Sequence, residues 1–196
     1  MGKVLLATRN AGKLVELRRM LVGADVTVLG LADVAEFPEA PETGATFAEN
    51  ALAKARDAAA ATGLPSIADD SGLAVDALNG MPGVLSARWS GRHGADVENL
   101  ELALAQLNDV PDERRGAQFI CAAALVVPGG EETVAHGEWR GRLVRVPRGT
   151  NGFGYDPIFQ PDGETRTSAE LEPEEKDAAS HRGRAMRALL PALRVV

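Results

Sequence analysis

Residues 46–76, TFAENALAKARDAAAATGLPSIADDSGLAVD, hold the stretch whose reading sets the fold class. Thr46 and Glu49 form a T-x-x-E capping box, in which a threonine and a glutamate satisfy the first free amides of a helix. The helix runs to about Ala61 and Gly63 stops it. Ser66–Ala68 then reads as a buried strand ending in an acidic turn, Asp69-Asp70-Ser71-Gly72, after which Leu73–Asp76 continues extended. Upstream, Val4–Ala7 reads as a strand and Asn10–Gly12 as a turn. Lys13–Leu21 follows as an amphipathic helix with Leu14, Leu17 and Leu21 on one stripe. Val26–Leu29 is a second strand, and a long loop rich in Pro and Glu covers Ala32 to Ala45. Downstream, Gly80 to Gly94 is loop-rich, and Asp96–Asn108 is helical with Leu100, Leu104 and Leu107 inward. Strands are predicted at Gln118–Val127, Glu132–Arg140 and Arg142–Val146, with a hairpin turn at Gly129-Gly130. Asn151–Phe159 is an aromatic segment interrupted by glycine. Pro173–Ala178 and His181–Leu190 are helical, split by Ser180 as an N-cap. This mixed order predicts an α/β or α+β class built around a mixed sheet.

The whole sequence constrains partners. At 196 residues it suits one domain with two lobes, and no internal repeat, low-complexity tract or linker interrupts it. The net charge of −7 argues against bulk nucleic acid as a partner. A small anionic substrate remains compatible, because local cations or a bound metal reverse the field at one site. The single cysteine, Cys121, lies in the apolar run Phe119–Val127 and reads as a buried structural thiol. No segment approaches the roughly 20 apolar residues of a membrane span. The N-terminal segment MGKVLLATRN lacks the apolar stretch of a signal peptide, so the expected compartment is the cytoplasm.

Four places carry chemistry. Thr8-Arg9-Asn10-Ala11-Gly12-Lys13 joins a strand to a helix, where free amides and a lysine make an anion site. It does not match the P-loop pattern, and a plain polar turn is its other reading. The second place is acidic: Glu39 and Glu42 in the long loop, Glu49 in the next helix, and the pair Asp69-Asp70. Magnesium takes oxygen ligands and is often held by one or two carboxylates plus substrate phosphates. Two adjacent aspartates can divide the work, one facing metal and one acting as base or support. Glu49 already has its capping role, and Asp-Asp-Ser-Gly alone is a common turn. The third place is Gly152-Phe153-Gly154-Tyr155-Asp156-Pro157. Aromatics are only 4% of the chain, so two beside a glycine suggest either stacking on a base or rings returning to the core. Asp156 can accept from a base edge or from a lysine. The fourth is Lys176 with Ser180-His181-Arg182. Cations in the first turn of a helix oppose its dipole unless something negative is bound; solvated surface charges are the other reading. With one Cys and three His (His93, His136, His181), a zinc cluster is not expected. The absence of G-x-S-x-G weakens a serine-hydrolase reading.

The order of these motifs is more specific than any one of them. T-x-N-x-x-K, E-T-G-x-T-F-x-E-N-A-x-x-K-A, A-D-D-S-G-L, G-F-G-Y-D-P-I-F and E-K-x-x-x-S-H-R together resemble the inosine triphosphate pyrophosphatase family, from Val4 to about Leu190. The resemblance implies an α/β fold with an elongated mixed central sheet flanked by helices, two lobes with the active site in the cleft between them, and a homodimer. It implies Mg²⁺-dependent hydrolysis of ITP, dITP and XTP to the monophosphate and pyrophosphate. By the same resemblance, Thr8, Arg9, Asn10, Ala11, Gly12 and Lys13 hold the phosphates. Asp70 binds metal and accepts the proton, with Glu42 as the second metal-side carboxylate and Ser71 touching the substrate. Phe153, Gly154, Tyr155 and Asp156 hold the base, and Lys176, His181 and Arg182 complete the nucleotide site. Lys54 matches a further lysine near the phosphates, and Asp69 is assigned support. Two competing readings are a pyrophosphatase for other modified or pyrimidine nucleotides and a non-catalytic nucleotide-binding module. E-K-x-x-x-S-H-R argues against the first, and the joint presence of Asp70, Glu42 and Lys13 against the second.

Overall fold

The computed structural model describes residues 2–38 and 41–193. Glu39, one of the carboxylates singled out above, lies outside the described residues. The strands are β1 (Gly2–Leu6), β2 (Val26–Gly30), β3 (Ser66–Val75), β4 (Gly116–Val126), β5 (Glu132–Leu143) and β6 (Phe159–Pro161). The helices are α1 (Ala11–Met20), α2 (Phe47–Thr62), α3 (Asp96–Gln106), α4 (Pro173–Ala179) and α5 (His181–Leu193), with short 3₁₀ turns among them. The six strands form one sheet in the order β2-β1-β3-β4-β5-β6. β1 pairs in parallel with both β2 and β3, and β6 runs antiparallel to β5. The sheet is therefore mixed and the class α/β, as expected.

The chain divides into two compact units. The first comprises Met1–Asp70, Cys121–Gly137 and Arg182–Val196; the second comprises Ser71–Ile120 and Glu138–His181. In the first unit, strand side chains alternate between two apolar layers, as a period of two requires. Val4, Leu6, Ile67, Cys121, Ala123 and Leu125 pack with Leu17 and Leu21 and with Ala185, Met186 and Leu189 of α5. Leu5, Ala7, Ala68, Ala122, Ala124 and Val126 pack with Ala51, Ala55, Ala58 and Ala59 of α2. The second unit has its own core of Leu73, Val75, Leu100, Leu107, Phe119, Trp139, Tyr155, Ile158 and Phe159.

Two expectations are corrected. β3 does not break at the acidic pair: Ser66 to Val75 is one continuous strand. Gly72 serves close approach there rather than a turn, because a Cβ on it would run into the Gly83 carbonyl and the Ser86 side chain. Ser86 Oγ accepts from Leu73 N at 2.9 Å and donates to the Gly83 carbonyl at 2.7 Å, which fixes that approach. Likewise Glu132–Arg140 and Arg142–Val146 are not two strands. β5 runs unbroken through Gly141, which pairs with Pro161 of β6 and lets the β6 backbone lie against it. Thr46 caps α2 as expected, its Oγ1 accepting from Glu49 N at 3.2 Å, while Glu49 Oε2 accepts from Ala45 N, one residue before the cap, at 2.6 Å. No helix among the described residues is long and apolar enough to cross a membrane.

Candidate active site

The first group is the start of α1. Asn10 caps the helix, its Oδ1 accepting from Lys13 N at 3.0 Å, and Thr8 Oγ1 accepts from Asn10 N at 3.3 Å. The first turn carries no acidic side chain. Its amides and the positive end of the dipole are therefore not neutralised from within the helix, which favours an anion. Arg9 is exposed and donates to the Phe37 carbonyl at 3.2 Å. Lys13 extends from the first turn to Asp69 Oδ2, 3.1 Å away.

Strand alternation then separates the two aspartates. Asp69 follows Ile67 onto the α1 and α5 face, and Asp70 follows Ala68 onto the α2 face. Asp69 meets two cations, Lys13 at 3.1 Å and Arg182 Nε at 3.2 Å. Arg182 Nη1 in turn donates to Glu16 Oε2 at 2.5 Å. Two carboxylates and two cations thus form a charge-balanced cluster, with Arg182 2% and Asp69 2% exposed. Burial by itself raises the Asp69 carboxyl, but Lys13, Arg182 and Lys54 outweigh it and hold it well below the usual carboxylate range. Cys121 is buried beside this cluster, its thiol pushed up to about 12 by burial and then by Asp69, so it stays protonated and structural.

Asp70 has a different setting. Asn50 Nδ2 donates to its Oδ2 at 3.0 Å, and Lys54 Nζ lies 3.6 Å from its Oδ1. The same ammonium is 2.8 Å from Glu42 Oε1. Asn50 and Lys54 are one helical turn apart on α2, so both face the strand. Burial, reinforced by Glu42, pushes the Asp70 carboxyl above its ordinary value, although Lys54 and Lys13 pull it down. A carboxylate raised in this way is a better proton acceptor near neutral pH than an ordinary aspartate. Among the described residues no three His, Cys, Asp or Glu side chains converge as a metal cage. Glu42 and Asp70 nevertheless converge on one ammonium. That is the donor set Mg²⁺ requires from protein when phosphates supply further oxygens.

The second unit contains the aromatic segment. Asp156 is buried and its carboxylate accepts from Lys176 Nζ at 2.6 Å, Ser168 Oγ at 2.8 Å and Phe153 N at 2.9 Å. The lysine expected as one possible partner is thus present beside it. Gly152 has φ +76°, and a Cβ on it would run into the Asp156 carboxylate. Only glycine suits both the left-handed backbone and the contact. Lys176 Nζ sits 5.0 Å from the centroid of the half-buried Phe153 ring. Tyr155 returns to the core and its hydroxyl donates to the Ser86 carbonyl at 2.8 Å. Gly154 N donates to Asp96 Oδ2 at 3.0 Å. His181 is buried with its ring stacked on Phe119, centroids 4.8 Å apart. Ser71 is half-buried in β3.

Thr8–Lys13, Glu42, Lys54, Asp69, Asp70 and Arg182 therefore belong to the first unit. Ser71, Phe153–Asp156, Lys176 and His181 belong to the second. The sequence reading missed Glu16, Asn50 and Ser168 as partners of these side chains. For Asn50 a signal exists, since it stands four residues before Lys54. Glu16 and Ser168 have none, because their partners lie 166 and 12 residues away.

Comparison with known proteins extends over the whole chain. The model of the Ham1 family matches residues 4–192. A protein of Nocardia farcinica named dITP/XTP pyrophosphatase is 69% identical over 196 residues, covering 98% of this chain and 95% of that protein. The crystal structure of a nucleoside-triphosphatase, dITP/XTP pyrophosphatase, from Mycobacterium abscessus is 63% identical with a TM-score of 0.78, over 96% of this chain and 99% of that one. A HAM1 protein of Coxiella burnetii superposes with a TM-score of 0.89 at 43% identity, over the full length of both chains.

Proposed function

The chain belongs to the Ham1 family, and from that premise we propose that it hydrolyses the deaminated purine nucleotides ITP, dITP and XTP to the monophosphate and pyrophosphate. The observation that carries this reading is the split aspartate pair: Asp69 is locked in an ion cluster with Lys13 and Arg182, while Asp70, raised by burial, faces Glu42, Asn50 and Lys54. Attack of water on a phosphorus carrying anionic oxygens is slow because like charges repel. Cations offset that charge and a carboxylate orients and deprotonates the water. Thr8 to Lys13 take the phosphates, Lys54 adds positive charge, and Asp70 accepts the proton from water, with Ser71 against the substrate. Glu42 and Asp70 would hold Mg²⁺, which would supply charge neutralisation.

Phe153 offers the ring face for the base, positioned by the Asp156–Lys176 pair. Tyr155 supports that loop from the core, and His181 holds its end of the nucleotide site. Arg182, oriented by Glu16 and Asp69, has five N–H donors of which Nε and Nη1 engage these carboxylates. A guanidinium only donates, so at the base Arg182 favours the C6 oxygen of hypoxanthine and xanthine, whereas the C6 amine of adenine would be left unpaired at a cost. We further propose that the active form is a cytoplasmic homodimer with both units of the chain forming one pyrophosphatase domain.

The test is incubation with ITP, XTP, dTTP and ATP in the presence of Mg²⁺, measuring pyrophosphate against orthophosphate. Pyrophosphate with IMP and XMP is expected. IDP as the main product of ITP overturns the reaction, and preferential hydrolysis of dTTP overturns the substrate class.

A further inference from the structure

Lys54 occupies an unusual position for a lysine expected to meet phosphates. Its ammonium lies 2.8 Å from Glu42 Oε1 and 3.6 Å from Asp70 Oδ1, with the three side chains 17%, 19% and 8% exposed. Asp70 is fixed from its other oxygen by Asn50 at 3.0 Å. Two carboxylates held this close and this shielded repel each other, and a cation between them offsets that repulsion. The lysine thus already performs the electrostatic part of a metal ion's task. A divalent ion needs the same oxygens, and its charge repels an ammonium a few ångströms away.

We propose that Lys54 is the resident counter-ion of the Glu42–Asp70 pair and that it exchanges with a divalent cation. Metal entry turns the ammonium out of the pair, where it meets the anionic oxygens of the substrate. This rests on the assignment of Glu42 and Asp70 to Mg²⁺ above. Two consequences follow from the charges. Metal binding to the nucleotide-free protein is weakened by the lysine it must displace. Nucleotide and metal strengthen each other's binding, because the triphosphate gives the displaced ammonium a new partner, and that coupling is reciprocal. Asn50 has no charge and stays on Asp70 throughout, holding the carboxylate in place while its cation changes.

The experiment is calorimetric titration of Mn²⁺ into the full chain without nucleotide, for the wild type, Lys54→Met and Glu42→Gln, repeated with an ITP analogue carrying a methylene bridge between the α and β phosphates. A unit charge removed from beside a metal raises its affinity, so Lys54→Met is expected to bind Mn²⁺ at least about tenfold more tightly than wild type. The enhancement of Mn²⁺ binding by the analogue is expected to shrink in that variant. Glu42→Gln is expected to lose affinity. Unchanged or weaker Mn²⁺ binding by Lys54→Met, with Glu42→Gln still impaired, overturns the exchange and leaves Lys54 a mere support for the Glu42 loop. Failure of wild type to bind Mn²⁺ even with the analogue present, or wild-type affinity in Glu42→Gln, overturns the metal assignment and the exchange with it. Lys54→Gln, which retains a donor for Glu42, gives the same discrimination should Lys54→Met lower the melting temperature.

Discussion

At the scale of single residues, Asp69 and Asp70 show how little chemical identity decides. Both are buried aspartates, yet the cations around one hold its carboxyl down while burial lifts the other. Asp70→Asn removes the proposed proton acceptor while keeping an oxygen for Asn50, so kcat is expected to fall about 10²–10⁴-fold with a nearly unchanged melting temperature. Asp69→Asn removes the anion that Lys13 and Arg182 share, and breaking a buried pair costs about 3–5 kcal/mol. Its melting temperature is expected to drop clearly. A fully active Asp70→Asn, or an Asp69→Asn as stable as wild type, overturns these roles. The acid limb of stability has a sign as well. A depressed carboxyl stabilises above its unfolded value, about 3.9, and that contribution fades as pH falls through the folded one. Asp70, with its carboxyl raised, works in the opposite sense: its ionised form costs stability, and the cost disappears as pH falls through the raised value. Below about pH 4 the wild type is therefore expected to lose melting temperature more steeply than Asp69→Asn; parallel slopes in a pH series would exclude Asp69 as the source. The buried setting of Arg182 also revises an expectation from sequence. Arg182→Ala would take one of two cations from Asp69 and the Nη1 partner from Glu16, so its melting temperature is expected to fall as well as its ITP:ATP ratio.

Among elements, helix signals were legible and strand continuity was not. Thr46 and Glu49 mark the start of α2 from chemistry contained within four residues. Thr46→Ala is expected to cost about 1 kcal/mol in urea unfolding, and no measurable loss would mean that the packing of Ala51, Ala55, Ala58 and Ala59 alone fixes the helix. Asp69-Asp70-Ser71-Gly72 has the composition of a turn, and locally that reading is reasonable. It fails because Asp69 finds Lys13 and Arg182, and Asp70 finds Asn50 and Lys54, at sequence distances no local pattern records. Gly141 misled for a related reason: it resembles a break in a strand but provides the space in which β6 lies. The aromatic segment left the fate of its rings open from sequence; Tyr155 returns to the core and Phe153 is half-buried beside Lys176.

At the level of the molecule, the order of motifs along the chain revealed the family and the mixed sheet. The pairing of partners across the chain was not readable, because neither compact unit is continuous. The first draws on three stretches and the second on two, and the backbone passes between units inside β3, β4 and β5 and at the start of α5. A fragment of residues 1–70 is thus expected to remain unfolded by circular dichroism, since it lacks the β4, β5 and α5 residues that complete its apolar layers. A cooperative thermal transition in that fragment would show that the missing stretches are dispensable. For the homodimer, light scattering at micromolar concentration is expected to exceed the 20.6 kDa of one chain, and a mass near that value counts against it. The continuity of β3 finally has a meaning for the gene. Substitutions of single nucleotides there change one side chain at a time. An in-frame loss of one codon between Ser66 and Ala68 instead advances every later residue by one place, sending the Asp70 carboxylate to the α1 and α5 face and leaving a serine opposite Lys54. Alleles that differ in length within these codons should therefore be null, while the codons for residues 34–38 and 41–45 before α2 have no sheet register to keep.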